Sequence, residues 1–342
     1  MNNKYTILNN EKNKKLVPSR VNKKQEVQLY NDIVYEILSF HSDFHFLMKT
    51  GLLVSKQWFN IIMERIRNFS FTCFSLKKTQ QSLPQQLSQN ITTLIVNNNS
   101  RCNDIDINNL QFICDNMKQL TLLKIDYNRI NLESAKYLTR LQKLKHISLY
   151  SNLKFDEKAL DYINQLKELQ YLGVYKNNIR VSGAESISKM IQLTNLNISS
   201  NFIGSEGAYY ISKLPHLTIL NICENNIGSD GAEHISELKQ LTNLNIENNR
   251  IKDNGAKCIG KLSQLKILNI AKNRITFGAM YLLALKQLTN LDISRNDLQA
   301  LGSFFVSEMK QLTNLDISLN NIGTQGALNI NQMKLVNRYR FD

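Results

Sequence analysis

The chain has 342 residues, of which 42% are hydrophobic and 20% charged, so it is long enough to bury a sizeable core. No apolar run approaches the ~20 residues that a membrane span needs, and the first ten residues, MNNKYTILNN, lack the basic-then-apolar order of a signal peptide. We therefore expect a soluble intracellular protein, cytoplasmic or nuclear, without a membrane partner and with its five irregularly placed cysteines reduced.

The formal net charge of +14 is spread along the chain rather than gathered into one binding surface. Residues 1–28 form an Asn/Lys-rich stretch with seven basic and two acidic residues, which predicts a solvated, disordered tail. A nuclear-localisation or nucleic-acid-binding arm is the alternative interpretation. Elsewhere the lysines lack the interleaved aromatic residues of a nucleic-acid groove, so nucleic acid is not the predicted partner.

Residues 29–66 carry no repeat and show the pattern of a small helical domain. Ile33, Ile37 and Phe40 are spaced for one helix face, and residues 53–62 supply a second apolar stripe. The simplest interpretation is an amino-terminal helical cap for the array that follows.

The two halves of this segment resemble an F-box. The first half matches through Leu29, Asp32, Ile33 and the run Ile-Leu-Ser-Phe at 37–40, and the second through LVSKQW at 53–58. Tyr30 stands where the family usually has proline, and Asp32 replaces glutamate. The resemblance implies that the segment binds a Skp-type adaptor within a cullin complex. The apolar residues that would make this contact are Leu29, Ile33, Ile37, Leu38, Leu53, Val54 and Trp58.

Residues 67–90 join this segment to the repeats. They are rich in phenylalanine and end in the polar run TQQSLPQQLSQN, which predicts a connecting strand and turn that closes the amino-terminal end of the array.

Residues 91–342 repeat one template about ten times. The clearest copies occupy residues 193–264, where LxxLxIxxNxIxxxGAxxIxxLxx occurs three times with a period of 24 residues. This spacing is typical of a leucine-rich-repeat solenoid, an α/β fold with one short strand and one helix per repeat. The predicted repeats start at Ile91, Leu120, Leu144, Leu169, Leu193, Leu217, Leu241, Leu265, Leu288 and Leu312.

The template assigns a role to each part of a repeat. Apolar residues 1, 4 and 6 are predicted to point inward and to alternate with polar residues at the period of a strand. The asparagine at position 9 is predicted to form a buried ladder along the array, through Asn201, Asn225, Asn249, Asn273, Asn296 and Asn320. Polar residues just before the Gly-Ala pair are predicted to cap the helices, namely Ser205, Ser229, Asp253 and Thr324. The Gly-Ala pair itself allows close packing between layers.

Positions 3, 5 and 7 of each repeat are predicted to line the concave face. In repeats five to seven these residues are mostly small, as in Asn195, Asn197 and Ser199, whereas repeats two to four depart from the template with large side chains. Tyrosine is enriched where a few side chains carry most of the affinity of an interface. The predicted target-binding residues are therefore Tyr127, His146, Tyr150, Tyr171, Tyr175 and Lys176. The alternative is that these repeats are merely degenerate copies.

With the Gly-Ala pair, the repeats resemble the GALA subclass, and an F-box followed by such repeats is an arrangement known in bacterial effectors that mimic host F-box proteins. The resemblance implies a substrate-recognition subunit of a Skp/cullin/F-box ubiquitin ligase, acting in the host cytosol if it is an effector. Similar repeats also occur in protists. The alternative function is a GTPase-activating or inhibitor protein of the ribonuclease-inhibitor-like kind, in which residues 29–66 only cap the array, and a scaffold with neither partner is a third.

The sequence offers no catalytic centre, cofactor site or metal site. It contains no glycine-rich phosphate loop, no zinc-spaced cysteine pairs and no serine-histidine-acid constellation. His41 and His45 have a metal-binding spacing, but no further ligand is near them in sequence. Cys102-Asn103-Asp104 resembles the Cys-x-Asp triplet that is catalytic in the novel bacterial ubiquitin ligases, but those ligases carry a large helical domain after their repeats. We predict a non-enzymatic protein.

Overall fold

The structure, a computed structural model, describes residues 68–72, 89–97, 107–128, 130–152, 157–333 and 337–338. These residues belong to a compact unit that runs from Met63 to Asp342. The predicted tail and the F-box-like segment lie outside the described residues.

One parallel sheet runs through the described part of the chain, with its twelve strands side by side in chain order. The strands are β1 (Asn68–Thr72), β2 (Thr93–Asn97), β3 (Leu122–Lys124), β4 (His146–Ser148), β5 (Tyr171–Gly173), β6 (Asn195–Asn197), β7 (Ile219–Asn221), β8 (Asn243–Asn245), β9 (Ile267–Asn269), β10 (Asn290–Asp292), β11 (Asn314–Asp316) and β12 (Asn337–Arg338). The helices are α1 (Ile107–Asn116), α2 (Leu132–Leu138), α3 (Glu157–Ile163), α4 (Arg180–Ser188), α5 (Gly204–Ile211), α6 (Gly228–Ile235), α7 (Lys252–Ile259), a 3₁₀ helix (Phe277–Ala284), α8 (Gln299–Ser307) and α9 (Gly323–Asn331).

The prediction of one strand and one helix per repeat is confirmed from β2 to α9. The sheet also extends beyond the template at both ends. β1 lies in the predicted connecting segment and pairs with β2 in parallel, and β12 follows the last full repeat and pairs with β11.

The core consists of the inward positions of every repeat. In the fifth repeat Leu193, Leu196 and Ile198 from the strand side meet Ala208 and Ile211 from α5, all with no exposed surface. Burial of each Leu or Ile side chain stabilises the fold by roughly 1.5–3 kcal/mol, and the same set recurs in neighbouring repeats. Stability is therefore distributed along the array rather than concentrated in one centre.

The asparagine ladder is confirmed. The Nδ2 group of Asn201 donates to the carbonyl oxygens of Ile198 and Val174, both at 2.9 Å, and its Oδ1 accepts from the backbone N–H of Asn177 at 2.8 Å. Each rung thus joins its own turn to the preceding repeat. The ladder also includes Asn177 and Asn152, which the sequence prediction left out.

The predicted helix caps at Ser205, Ser229, Asp253 and Thr324 are wrong. These residues lie inside the first turn, because their helices begin one residue earlier and lack a side-chain cap. The first N–H groups of α5 to α7 instead donate hydrogen bonds to the next repeat. The N–H of Gly204 donates to the carbonyl of Asn225 at 3.0 Å, and that of Lys252 donates to Asn273 at 3.0 Å.

The glycine of the Gly-Ala pair is required by close contact within and between repeats. A Cβ atom on Gly231 would lie 2.4 Å from Cγ2 of Ile227 and 3.0 Å from Cα of Ser205 in the preceding helix. Real Cβ atoms do not approach other atoms at the shorter distance, so a side chain here would push neighbouring helices apart.

The eighth repeat, one residue shorter than the template, forms a 3₁₀ helix instead of an α-helix. Asp253 of the preceding repeat reaches this helix. Its Oδ1 accepts from the N–H groups of Thr276 and Gly278 at 2.8 and 2.9 Å, and its Oδ2 accepts from Oγ1 of Thr276 at 2.6 Å. The residue predicted as an N-cap of its own helix therefore caps the next one.

Candidate functional site

Five of the six predicted target-binding side chains form two neighbouring rows of contacting rings on β3 to β5 and the turns that follow them. We call this cluster the aromatic patch, and it consists of Tyr127, His146, Tyr150, Tyr171 and Tyr175. In-register parallel strands place equivalent residues about 4.8 Å apart, close to the stacking distance of aromatic rings. His146 pairs with Tyr171 in this register.

The rings pack in two rows. The rings of His146 and Tyr171 are stacked, with centroids 3.8 Å apart and planes 6° from parallel. In the second row, the Tyr150 and Tyr175 rings are stacked at 4.3 Å and 7°, and the Tyr127 ring meets that of Tyr150 edge-on at 4.4 Å. Because each ring is held by its neighbour, little side-chain entropy remains to be lost on binding.

A missing side chain makes room for the first row. A Cβ atom on Gly173 would lie 2.9 Å from the hydroxyl oxygen of Tyr171, so the Tyr171 ring lies over the surface of this glycine. Burial raises the pKa of the Tyr171 hydroxyl. Burial also lowers the pKa of His146, and the nearby Lys124 ammonium lowers it further. Both shifts favour the uncharged forms of the two rings.

The second row ends in linked hydroxyl groups. A hydrogen bond with the Tyr127 hydroxyl raises the pKa of Tyr150, with burial and a hydrogen bond to Tyr175 adding to the effect. Tyr127 is 52% exposed and has a positive φ of 59°. Its backbone N–H donates to the carbonyl of Tyr150 at 2.7 Å, which holds the turn in this conformation. The row thus presents aromatic rings and hydroxyl groups at the surface.

Charged groups flank the patch. Asp126 accepts from the Ser148 hydroxyl at 2.6 Å and from the backbone N–H of Tyr150 at 2.9 Å, and it lies 3.7 Å from the Lys124 ammonium. This carboxylate therefore fixes the strand ends. Lys176, the sixth predicted residue, follows Tyr175 at a positive φ of 58° and is exposed.

The residues at position 5 on the same face of the sheet differ after β5. From β6 onward position 5 is Asn or Asp, and its Oδ1 accepts from the backbone N–H two residues later, as in Asn197 to Ser199 at 3.2 Å and Asp292 to Ser294 at 3.1 Å. Sequence analysis missed this structural role, although the recurrence of Asn or Asp at position 5 was a signal for it. These residues support the strand ends. In repeats three and four, position 5 is Ser148 and Gly173 instead, and the aromatic side chains lie at positions 3 and 7.

The far end of this face is acidic. β9 to β11 line an open depression that includes Asp292 and Asp316. Burial raises the pKa of Asp292, and the neighbouring Asp316 and Glu247 raise it further. Glu247 itself pairs with the Lys272 ammonium at 2.5 Å.

The predicted adaptor-binding residues lie outside the described residues, as do His41 and His45. Within the part of the chain that is described, no three His, Cys, Asp or Glu side chains converge to hold a metal ion. The described helices also include none whose length and apolarity would let it cross a membrane.

Comparison with protein-family models matches leucine-rich repeats at residues 191–251 and again at residues 310–330. The repeats are leucine-rich repeats. No match was found among curated protein sequences.

Among solved structures, the chain is similar to an internalin from Listeria monocytogenes. The TM-score is 0.52 and the sequence identity 20%, over 75% of this chain and 82% of the internalin chain. At that identity the likeness concerns the fold. Leucine-rich repeats are typically non-catalytic and bind proteins, so the aromatic patch lies on the open face of a protein-interaction module.

Proposed function

We propose that this protein is a non-catalytic substrate-recognition subunit of a Skp/cullin/F-box ubiquitin ligase. Residues 29–66 bind the Skp-type adaptor, and the aromatic patch binds the protein that is to be ubiquitinated. The observation that carries the proposal is the order of the parts: an F-box-like sequence ending in LVSKQW at 53–58 precedes repeats whose open face carries a preorganised aromatic cluster.

The aromatic patch has the properties of an interface hot spot. Its residues are mainly tyrosines, its rings are held in place by stacking, and an exposed lysine lies beside it. Large rigid side chains gain contact area with little loss of conformational freedom. From β6 onward, position 5 on this face is Asn or Asp, and its Oδ1 accepts from a backbone N–H group. Ile219 and Ile267 are also exposed on this face, but their strands β7 and β9 are not adjacent. The contiguous aromatic rings therefore favour the patch as the main anchor for a target.

The adaptor half is tested by titrating purified Skp-type adaptor into the full chain. Burial of an apolar side chain contributes roughly 1.5–3 kcal/mol, so Leu38→Ala or Trp58→Ala should weaken adaptor binding about tenfold or more. Circular dichroism must show that each variant is folded, and Tyr175→Ala serves as the matched control that keeps its adaptor affinity. If the unchanged chain does not bind the adaptor, the proposed role in a ubiquitin ligase is refuted.

The target half is tested separately, with Tyr150→Ala and Tyr175→Ala. Hot-spot truncations cost about 2 kcal/mol or more, which corresponds to roughly a thirtyfold loss of target affinity. Asn243→Ala, at a half-exposed strand position outside the patch, is the matched control. Equal target affinity of all three variants would show that the target binds elsewhere.

A further inference from the structure

The last three helices of the described repeats differ in charge from the described helices before them. The 3₁₀ helix (FGAMYLLA), α8 (QALGSFFVS) and α9 (GTQGALNIN) contain no Asp, Glu, Lys or Arg. Each of the described helices α1 to α7 contains at least one of these residues. In a chain with a net charge of +14, three consecutive uncharged helices are a local exception.

Large apolar side chains are exposed on the same three helices. They lie one residue before the repeat glycine or two residues after it, where the intervening residue is alanine in the 3₁₀ helix and α9 and serine in α8. On α6 these two positions hold Asp230 and Glu233. We call the exposed set the apolar helix face: Phe277 is 52% exposed, Met280 40%, Leu301 58%, Phe304 44% and Leu328 53%.

The apolar helix face is continuous. Residues three apart lie on the same side of a helix, so Leu301 and Phe304 project together from α8. The 3₁₀ helix and α9 pack on the two sides of α8. Helices of eight or nine residues are about 12 Å long and pack about 10 Å apart, so three of them give a surface of roughly 400 Å². The largest apolar patch on a typical monomer covers about 300–600 Å² and is often functional, so a surface of this size is a candidate interaction site.

We propose that the apolar helix face binds the same face of a second copy of this chain. Two copies that each carry a charge of +14 repel each other, and this repulsion is smallest where the facing surfaces carry no charge. An uncharged apolar surface is also complementary to itself, as a two-fold symmetric contact requires. The cores of homodimer interfaces are more apolar than other protein surfaces, which matches the composition of these three helices.

The size of the face sets the strength of the contact. A stable interface usually covers about 800 Å² on each partner, about twice the area of these helices. The five apolar side chains therefore form the core of a weak, concentration-dependent dimer, and the polar residues around them form its rim. The dimer leaves the open face of the sheet free, because the helices lie on the other side of each repeat.

Sedimentation velocity on the full chain over a wide concentration range tests the proposal. The mean mass should rise from the 39.5 kDa of one chain towards twice that value and stop there. Because the contact contains no ion pair, added salt should leave dimerisation unchanged or strengthen it by screening the repulsion between copies.

Leu301→Glu buries an unpaired charge from each copy in the contact, so it should weaken dimerisation at least about a hundredfold. Tyr209→Glu makes a similar change at an exposed aromatic position on α5, away from the face, and should leave dimerisation unchanged. Leu301 is exposed, so both variants should keep the circular dichroism of the unchanged chain. If Leu301→Glu does not fold, Leu328→Glu replaces it in the comparison.

Three results would overturn the proposal. The unchanged chain could remain a monomer at every concentration, the glutamate variants on the apolar helix face could dimerise as well as the unchanged chain, or association could weaken as salt is added. Association that continues beyond two copies would likewise exclude the two-fold contact.

Discussion

Replacement of Asn225 by alanine tests the asparagine ladder most directly. Asn225 has no exposed surface, and its Oδ1 accepts from the backbone N–H groups of Asn201 at 2.9 Å and Ile203 at 3.4 Å. Its Nδ2 group donates to the carbonyl oxygens of Ile198, Ile222 and Cys223 at 3.0 to 3.1 Å. Alanine removes all five contacts from a site that water does not reach.

The expected cost follows from the groups left behind. A buried donor that loses its acceptor costs about 1–3 kcal/mol, and the substitution leaves two such N–H groups, so the free energy of unfolding should fall by roughly 2–6 kcal/mol. Urea unfolding followed by circular dichroism measures the total. Hydrogen exchange should show the loss of protection first at the amides of Asn201 and Ile203, because stability in a repeat protein is local.

The control is Asn243→Ala, which removes a half-exposed asparagine from β8 and should change the free energy of unfolding by less than about 1 kcal/mol. Equal stability of the Asn225 and Asn243 variants would refute the assignment of the ladder to structure. The assignment would also be refuted if the amides of Asn201 and Ile203 kept normal protection in an Asn225→Ala variant that had lost only partner binding.

Gly231→Ala should lower the free energy of unfolding by about 1–3 kcal/mol, because the added methyl group overpacks the contact between helices. Gly228 has a φ of +67° and open space around it, so Gly228→Asn should lower the free energy of unfolding by less than about 1 kcal/mol. Urea midpoints that rank in the opposite order would contradict the packing argument. Burial raises the pKa of Cys114 to about 12, whereas Cys258 is part-exposed. Iodoacetamide should therefore label Cys258 of the native chain well before Cys114. Peptide mass spectrometry that showed the reverse order of labelling would contradict this. The pKa of His146 is lower in the folded than in the unfolded chain. Its contribution to stability should therefore be fully present above the unfolded pKa of about 6.5 and be lost as the pH falls below that value through the lower folded pKa. A His146→Gln variant with the same dependence of urea midpoint on pH would contradict this.

The repeating parts of the fold were predictable because they depend on residues that recur at fixed positions. The 24-residue period fixed the inward Leu and Ile residues and the ladder asparagines, and the register between strands follows from the same period. The helix starts were not predictable from local sequence. Their first N–H groups bond to carbonyls of the next repeat, as Gly204 does to Asn225, so a local capping rule does not apply.

The candidate site was predictable in its membership but not in its geometry. Departure from the template marked His146, Tyr150, Tyr171 and Tyr175, and the period placed them on adjacent strands. The stacking of the rings depends on the space that Gly173 leaves for the Tyr171 ring, which the sequence alone does not show. The apolar helix face lies on helix positions outside the strand template, and its signal in the sequence is the loss of charge from the last three helices.

Site-specific photo-cross-linking tests the central claim, that the aromatic patch binds a protein target, most directly. Benzoylphenylalanine would replace Tyr175 in the patch or, as the control, Tyr209 on α5, and adducts formed in cells would be identified by mass spectrometry. We predict a protein adduct from position 175 that is absent from position 209. The same adduct from position 209 alone, or no adduct from position 175, would contradict the claim.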